Sequence, residues 1–403
     1  MAAVRRPLAP GAAARYTSPA MRFMVTFILF PATGFLSGCA EHHRVDPRPD
    51  GGPPRPCSAE WQVETVATGD EPETLAIGSD GRRLHIAWRE SGDAHWAIRD
   101  TLAWTRQEVA GDIPPGASPA GFAAGERGMG LAHLMRSRAP DGSRQVGVVW
   151  LREDDRMAAD AIAEPVAAAS RSLWLRAVAT RGGTSVLFRR VPNEVVVARP
   201  SEELGWALER RDTAPVGEGF SADAHENGTI AWAYLVEESA GVSDRIVSLH
   251  WHSGASSGRV QLGRYNSDFV RVPCPEGAID VLAHSDGMDV LFTTIRPATD
   301  AFYRCAVEHA SVDADGAGRV ASILREQGAQ HLDAARGPDA LHLVATTVEG
   351  ATLYARRRGD EWEVFETPLP STRRPRLAML GLAPHVLFVE GDAVRVAEVP
   401  CSP

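Results

Sequence analysis

The sequence contains no lysine, and all 42 of its basic residues are arginines. Acidic residues number 52, which gives a net charge of -10 at pH 7. The first 38 residues hold four arginines and no acid, so the chain from Cys39 onward is more acidic still. A protein that binds nucleic acid needs a basic face to displace counterions from the phosphates. The charge therefore argues against nucleic acid as a partner.

Motifs of common catalytic and metal sites are also missing. There is no H-E-x-x-H, no phosphate-binding G-x-x-x-x-G-K-[ST] and no C-x-x-C. His42 and His43 are adjacent in a proline-rich stretch, where polar spacer residues are commoner than metal ligands. We therefore predict no catalytic residue, no metal site and no cofactor.

Long apolar runs are absent except for one short segment near the N-terminus. Met21 and Arg22 open a basic region, residues 23–35 are mostly apolar, and Leu36-Ser37-Gly38-Cys39 follows. The run is too short for a permanent membrane-spanning helix and ends in small residues. This stretch resembles a bacterial lipoprotein signal peptide with its L-S/A-G/A-C lipobox. The resemblance implies that residues 1–38 are a signal peptide, with Met21 as the true start, and that Cys39 is lipidated.

The lipoprotein resemblance also implies a cellular location. In that family an Asp after the lipidated Cys favours retention in the inner membrane, and Ala40 stands here instead. We therefore expect a lipid anchor in the outer membrane of the cell envelope, with the protein facing the periplasm or the surface. Residues 40–56 contain five prolines and no apolar periodicity, so we expect residues 39–57 to form a tether.

Residues 58–403 read as a repeat of short apolar strands separated by Gly, Pro, Asp and Asn turns. A strand, a turn and a second strand recur seven times at a spacing near 50 residues, which predicts an all-β, seven-bladed β-propeller with four strands in each blade. The count becomes six if one long unit is divided wrongly, and the irregular region 119–170 is where we expect such an error. The second strands are residues 84–88, 130–134, 185–188, 229–232, 289–292, 341–344 and 385–388.

The ends of the repeat predict how the ring closes. Fourth strands begin with a tryptophan at Trp104, Trp206 and Trp362. The same sequence pattern occurs at Trp61, which comes before the first strand of the first blade. The last unit stops at Val399, after its third strand. We expect the N-terminal strand to complete the last blade, because ring closure removes exposed sheet edges.

The phrase L-H-I-A-W followed about 16 residues later by W-x-x-x-x-V resembles bacterial secreted and lipoprotein propellers of the sialidase-like (BNR-type) kind. The resemblance covers about residues 58–401. The Asp boxes of that family, S-x-D-x-G-x-T-W, are absent, and the fragment at Ser79-Asp80-Gly81 has the wrong spacing. The three-arginine cluster and the Tyr–Glu pair of a sialidase site cannot be placed. The resemblance thus implies an architecture and says little about activity.

The histidines favour structural roles. His225 and His284 come before turns, which favours a turn-capping role. His250 and His252 flank Trp251 on one strand face and lack a third metal ligand in the sequence. Four histidines recur in second strands and are therefore expected to fill one structural position in successive blades: His85, His133, His342 and His385.

The first strand of each blade should line the central channel, where propellers commonly bind ligands. Polar residues near the starts of these strands form a mixed-charge set that either binds a polar ligand or only solvates the channel. These channel-mouth candidates are Glu73, Arg176, Glu218, Glu276, His331 and Arg376.

The cysteines predict two disulfides. Lipidation of Cys39 leaves four cysteines, an even number that suits an oxidising compartment. Cys401 follows the third strand of the last blade and Cys57 precedes its fourth strand, so we predict a Cys57–Cys401 bond. Cys274 and Cys305 belong to the same end of the fifth blade and form the second predicted pair.

Two classes of function remain open. The favoured one is a monomeric, surface-anchored propeller that binds a polymer, glycan or partner protein without catalysis. The alternative is an exported glycan-acting enzyme, a hydrolase or lyase, with its site at the channel mouth. The enzyme would need two carboxylates about 5–10 Å apart at that mouth.

Overall fold

The computed structural model describes most of the region after residue 60. The predicted signal peptide, Cys39 and the predicted tether lie outside these residues. Within the described ranges there is no helix, so none could cross a membrane. The described ranges are residues 61–91, 93–100, 103–107, 118–125, 128–138, 144–152, 157–166, 175–180, 183–190, 194–201, 205–213, 219–237, 244–254, 256–266, 278–297, 303–324, 328–338, 340–370 and 374–399.

The strands form seven four-stranded antiparallel sheets, which we number as blades in chain order. β1 (Gln62–Thr68) comes first in the chain and belongs to blade 7. Blade 1 contains β2 (Glu73–Ser79), β3 (Leu84–Glu90), β4 (Asp93–Asp100) and β5 (Ala103–Gln107); blade 2 contains β6 (Ser118–Gly125), β7 (Gly128–Arg138), β8 (Arg144–Leu151) and β9 (Met157–Val166). Blade 3 contains β10 (Leu175–Thr180), β11 (Gly183–Arg190), β12 (Glu194–Ser201) and β13 (Gly205–Thr213); blade 4 contains β14 (Phe220–Ala224), β15 (Ile230–Glu237), β16 (Asp244–Ser253) and β17 (Ser256–Asn266). Blade 5 contains β18 (Ile279–His284), β19 (Gly287–Pro297), β20 (Tyr303–Asp313) and β21 (Gly318–Leu324); blade 6 contains β22 (Ala329–Arg336), β23 (Leu341–Thr347), β24 (Thr352–Arg358) and β25 (Glu361–Glu366). Blade 7 contains β26 (Arg376–Leu380), β27 (Ala383–Glu390) and β28 (Ala393–Glu398).

The seven-bladed prediction is confirmed. Every second strand read from the repeat is the second strand of its blade, and the irregular region 119–170 forms the complete blade 2. The first strand of each blade contacts the first strand of the next, and β26 contacts β2. The innermost strands therefore form a closed ring around the channel.

The predicted ring closure is also confirmed. β1 pairs antiparallel with β28, with Gln62 opposite Glu398 and Thr68 opposite Ala393. Trp61 lies just before β1 and is buried, with its ring edge-on to Tyr354 at 6.0 Å. The N-terminal strand thus covers the edge that β28 would otherwise expose.

The core lies between neighbouring blades because second-strand side chains alternate in direction. In β19, Val290 and Phe292 pack in a cluster with blade 4, whereas Leu291 packs in a cluster with blade 6. The fourth-strand tryptophans fill the same inter-blade space, with Trp362 only 1% exposed and Trp206 stacked on Trp150 at 6.3 Å. These indoles therefore serve packing and offer no exposed row of aromatic faces.

Cys305 is a buried residue of β20. Cys57, Cys274 and Cys401 lie outside the described residues. The Cys57–Cys401 and Cys274–Cys305 pairings therefore stay predictions.

Candidate functional site

One residue of each first strand occupies the same register position. It pairs with the residue eleven positions later in six blades and twelve positions later in blade 4. We call this set the channel layer, and four of its members carry charges. In blade order it comprises Ala76, Gly121, Arg176, Ser221, Asp280, Asp333 and Arg376.

In blades 4 to 7 the layer side chains bond to the inner strand of the next blade. An innermost strand has one unpaired backbone edge, and its buried N–H and C=O groups need partners. Each Ser or Asp accepts from the N–H just after the next layer residue, and Arg376 donates to blade 1. The contacts are Val281 N–H to Ser221 Oγ (3.3 Å), Ala334 N–H to Asp280 Oδ2 (2.7 Å), Leu377 N–H to Asp333 Oδ2 (2.6 Å) and Arg376 Nε–H to the Leu75 carbonyl (3.2 Å).

Asp280 and Asp333 of the layer accept further hydrogen bonds. The Ser221 hydroxyl donates to Asp280 Oδ1 at 2.7 Å, and the Val281 N–H donates to the same oxygen at 3.0 Å. Arg376 Nη1 donates to Asp333 Oδ1 at 3.0 Å. Burial, together with the nearby Asp333 carboxylate, raises the pKa of Asp280 to about 7. The layer therefore contains a carboxyl group that titrates near neutral pH.

Asp223 stands two residues after Ser221 on β14 and repeats the capping contact deeper in the channel. Its Oδ2 accepts from the Ala283 N–H at 2.9 Å. Burial raises the pKa of Asp223 to about 6. Asp223 is thus a half-buried carboxylate that accepts the same kind of backbone hydrogen bond as Asp280, two residues further along its strand.

An open cavity lies where the first strands of blades 3 to 7 begin. Its polar lining is rich in arginine, and none of its described lining residues is acidic. The apolar part of the lining includes Phe220, Ile279 and Leu332. We call this space the mouth cavity; its polar lining residues are Arg176, Gln330, His331, Arg374 and Arg376.

The electrostatics of the mouth cavity are cationic. Burial, with the charges of Arg374 and Arg376 added, lowers the pKa of His331 to about 4, so its imidazole is neutral at pH 7. Burial and the neighbouring Arg376 lower the pKa of Arg176 from its ordinary value, and the guanidinium remains charged. Arg374 is exposed and adopts a left-handed backbone conformation with φ of 58°. Such strain in a non-glycine residue concentrates at functional sites.

Three of the six channel-mouth candidates meet in the mouth cavity: Arg176, His331 and Arg376. Glu73 is exposed at the start of β2 and is not part of the cavity lining. Glu218 and Glu276 lie outside the described residues, so their placement stays a prediction. Sequence reasoning missed Arg374 in the cavity and Asp280 and Asp333 in the layer below it.

The turn histidines behave as the sequence predicts. His225 Nδ1 accepts from the Asn227 N–H, and His284 Nδ1 accepts from the Asp286 N–H, both at 3.3 Å. His250 is buried and stacks on Tyr234 at 5.0 Å, and it bonds with Ser248. Among the described residues, no three His, Cys, Asp or Glu side chains are grouped to hold a metal ion.

The second-strand histidines are buried. Three of them share one position of the blade, and in blade 5 that position holds an aspartate. His85, His342 and His385 each stand nine residues after a layer residue, as does Asp289. Asp289 is fully buried and accepts from His309 Nε2 at 2.7 Å. It also pairs with Arg336 and lies 3.7 Å from Arg357 Nη1, both of blade 6. Asp289 therefore joins blades 5 and 6 through a buried ion-pair cluster.

Residues 254–258 spell G-A-S-S-G, which matches the G-x-S-x-G pattern of serine hydrolases. In those enzymes the serine sits on a sharp turn between a strand and a helix. Here the segment joins β16 to β17 in an antiparallel hairpin, where Ser253 is opposite Ser256. Its Ser256 hydroxyl donates to the Ser253 carbonyl at 2.9 Å, so this serine caps a turn.

The likeness of this chain to known proteins is limited to solved structures. No protein-family model matches the chain, and no curated protein matches it. Solved structures that are similar in fold include BBS1N in complex with ARL6DN, at 9% identity and TM-score 0.50 over 84% of this chain and 97% of that one. The propeller domain of the Trilobed protease from Pyrococcus furiosus matches at 9% identity and TM-score 0.48 over 84% and 96% of the two chains. The six-bladed fucose-recognising lectin of Aleuria aurantia matches at 10% identity and TM-score 0.41 over 85% and 99%. At such identities the likeness concerns the propeller fold alone.

Proposed function

We propose that this protein is a lipid-anchored, non-catalytic propeller whose mouth cavity binds an anionic group of a polymer, glycan or partner protein. The observation that carries the proposal is the concentration of Arg176, Arg374 and Arg376 around one open cavity of an otherwise acidic protein. The anchor at Cys39 would hold this cavity at the outer membrane.

The chemistry of the lining suits a carboxylate, sulfate or phosphate. A guanidinium presents planar N–H donors that match these oxyanions two at a time. The neutral His331 and the Gln330 amide add donors without adding charge. Phe220, Leu332 and Pro375 supply apolar surface against which the uncharged part of a ligand can pack.

The carboxylates below the cavity serve the fold, which favours binding over catalysis. Both oxygens of Asp280 and both oxygens of Asp333 accept hydrogen bonds from the protein. One observation favours a glycan-acting enzyme instead, namely the raised pKa of Asp280 beside a second carboxylate. For that reaction the two carboxylates would have to reach a sugar in the cavity, and they are absent from its described lining.

A glycan array separates the two functions. Residues 40–403, which lack the lipidated cysteine, would be applied to neutral, uronate-containing and sulfated glycans, with product analysis for cleavage. We expect binding of acidic glycans only, no cleavage, and a loss of at least about tenfold in affinity for Arg374→Gln, because one charge-assisted contact is worth about 1.5–3 kcal/mol.

Arg319→Gln is the matched control, because Arg319 is an exposed arginine of β21 outside the cavity. Equal losses in both variants would contradict a cavity-specific site. Cleavage that disappears in Asp280→Asn would establish the enzyme.

A further inference from the structure

Two half-buried arginines of the mouth cavity, Arg176 and Arg376, also interact with the aspartates of the channel layer. Arg376 lines the cavity and donates to Asp333 at 3.0 Å. Arg176 lines the cavity as well, and its charge interacts with both Asp280 and Asp333. An anion bound in the cavity would therefore share these two cations with two carboxylates already present.

We propose that the mouth cavity takes up its anion together with one proton, and that this proton binds to the carboxylate of Asp280. The inference rests on the proposed anion-binding function and adds its regulation by pH. The balance is simple: an ionised Asp280, one solution proton and the anion give a neutral carboxylic acid beside the bound anion. No other bond forms or breaks.

The charge balance of the layer motivates the proton. Without a ligand, the three arginines of the cavity, Arg176, Arg374 and Arg376, exceed Asp280 and Asp333 by one positive charge. A bound dianion such as sulfate turns this balance into an excess of one negative charge, and like charges repel. Protonation of one carboxylate removes this excess, and thermodynamic linkage then requires that acidification strengthen anion binding.

The hydrogen bonds around Asp280 can accommodate both protonation states. The ionised carboxylate accepts from the Ser221 hydroxyl at 2.7 Å. A hydroxyl is donor and acceptor at once, so Ser221 can rotate and accept from a protonated Asp280. The backbone N–H groups of Val281 and Ala334 remain donors in both states.

The groups around Asp280 identify it as the carboxylate that binds the proton. On β22, Asp333 is paired directly with Arg376 of β26, whereas the donors to Asp280 within the described part of the chain are a hydroxyl and backbone N–H groups. On β10, the Arg176 guanidinium donates at hydrogen-bond distance to its own Leu175 carbonyl at 3.1 Å. Asp223 of β14 is engaged at a deeper level by Ala283, and His331 of β22 titrates near pH 4. The pKa of Asp280, raised by burial to about 7, agrees with this choice.

Calorimetry of sulfate binding tests the inference, because inorganic sulfate stays fully ionised between pH 6 and 9. The full chain in detergent would be titrated in two cationic buffers of different ionisation enthalpy, so that proton uptake is measured directly. We expect uptake of up to one proton and an affinity that falls by up to about tenfold from pH 7 to pH 8, the limit for one coupled proton.

Substitutions test which carboxylate takes up the proton. Asp280→Asn should bind sulfate without proton uptake and without this pH dependence. Asp223→Asn is the matched control, because it alters a half-buried, backbone-bonded aspartate of the same channel and should keep both effects. If Asp280→Asn does not fold, Ser221→Ala replaces it: loss of a donor to the ionised carboxylate should shift the pH dependence to higher pH.

The outcomes separate the two proposals. Sulfate binding without proton uptake, or uptake that persists in Asp280→Asn, overturns the coupling and leaves the anion site standing. Absence of sulfate binding, or binding that is unchanged in Arg374→Gln, overturns the anion site and the coupling with it.

Discussion

Replacement of Asp289 by asparagine should destabilise the junction of blades 5 and 6. The carboxylate is fully buried and is shared by His309, Arg336 and Arg357. Asparagine keeps the size and one acceptor oxygen but removes the buried negative charge that the two guanidinium groups share. Breaking a buried ion pair on one side costs about 3–5 kcal/mol. We expect the low end, about 3 kcal/mol, because the Arg336 side chain is 40% exposed and water can screen it.

Urea unfolding followed by circular dichroism measures this change as a lower midpoint at an unchanged slope. Asp360→Asn is the matched control: Asp360 also bonds Arg357, at 3.1 Å, but is 59% exposed. An exposed pair contributes about 0–1 kcal/mol. If Asp289→Asn costs no more than Asp360→Asn, the buried cluster does not hold the two blades together, and the reasoning fails.

Four further predictions concern the anchor, the ring, the disulfides and acid. Cys39→Ala should release the protein from the membrane fraction into the soluble fraction with the propeller folded; retention after a high-salt wash would contradict lipidation as the anchor. Deletion of residues 59–66 should uncover β28 and lower the melting temperature, with light scattering reporting aggregation; an unchanged melting temperature would count against the shared blade. Non-reducing peptide mapping should find Cys57–Cys401 and Cys274–Cys305, and a Cys57–Cys274 or Cys57–Cys305 peptide would refute both pairings. Burial lowers the pKa of His133 to about 4 and of His309 to about 3. Both histidines bind protons more tightly when unfolded, so their stabilisation is full above about pH 6.5 and is lost as the pH falls toward 4. His133→Gln should flatten that loss in urea titrations, and an unchanged pH profile would show that His133 does not contribute.

The repeat could be read from the sequence because each second strand is a buried apolar run beside a turn. The ring closure followed from one extra strand at the N-terminus, at Trp61, and one missing fourth strand after Val399. These features depend on local pattern alone. Pattern therefore predicted the blade count, although the turn lengths vary from blade to blade.

The mouth cavity was predicted only in part, for a physical reason. Arg176 and Arg376 belong to first strands and were found by position, whereas Arg374 precedes its strand in a left-handed conformation that no periodicity signals. Asp280 and Asp333 stand nine residues before Asp289 and His342 of their second strands, just as Arg176 stands nine residues before Ser185. Counting back by this interval would have found them. Their pairing with the next blade depends on tertiary contacts, which one sequence does not display.

The channel layer separates the frame of the molecule from its chemistry. Each blade contributes one residue at that level, and the strand pairing around it runs through backbone atoms. Exchange in blades 1 to 3 changes the charge or size of the ring at a single point, whereas exchange in blades 4 to 7 also removes a side-chain contact to the next blade. Gly121 illustrates the freedom available: a Cβ built there would stand 3.7 Å from the Ala177 nitrogen, an ordinary contact. Seven positions, spread over some 300 residues, thus determine the charge and size of the channel layer, and different residues at these positions would suit different ligands on the same frame.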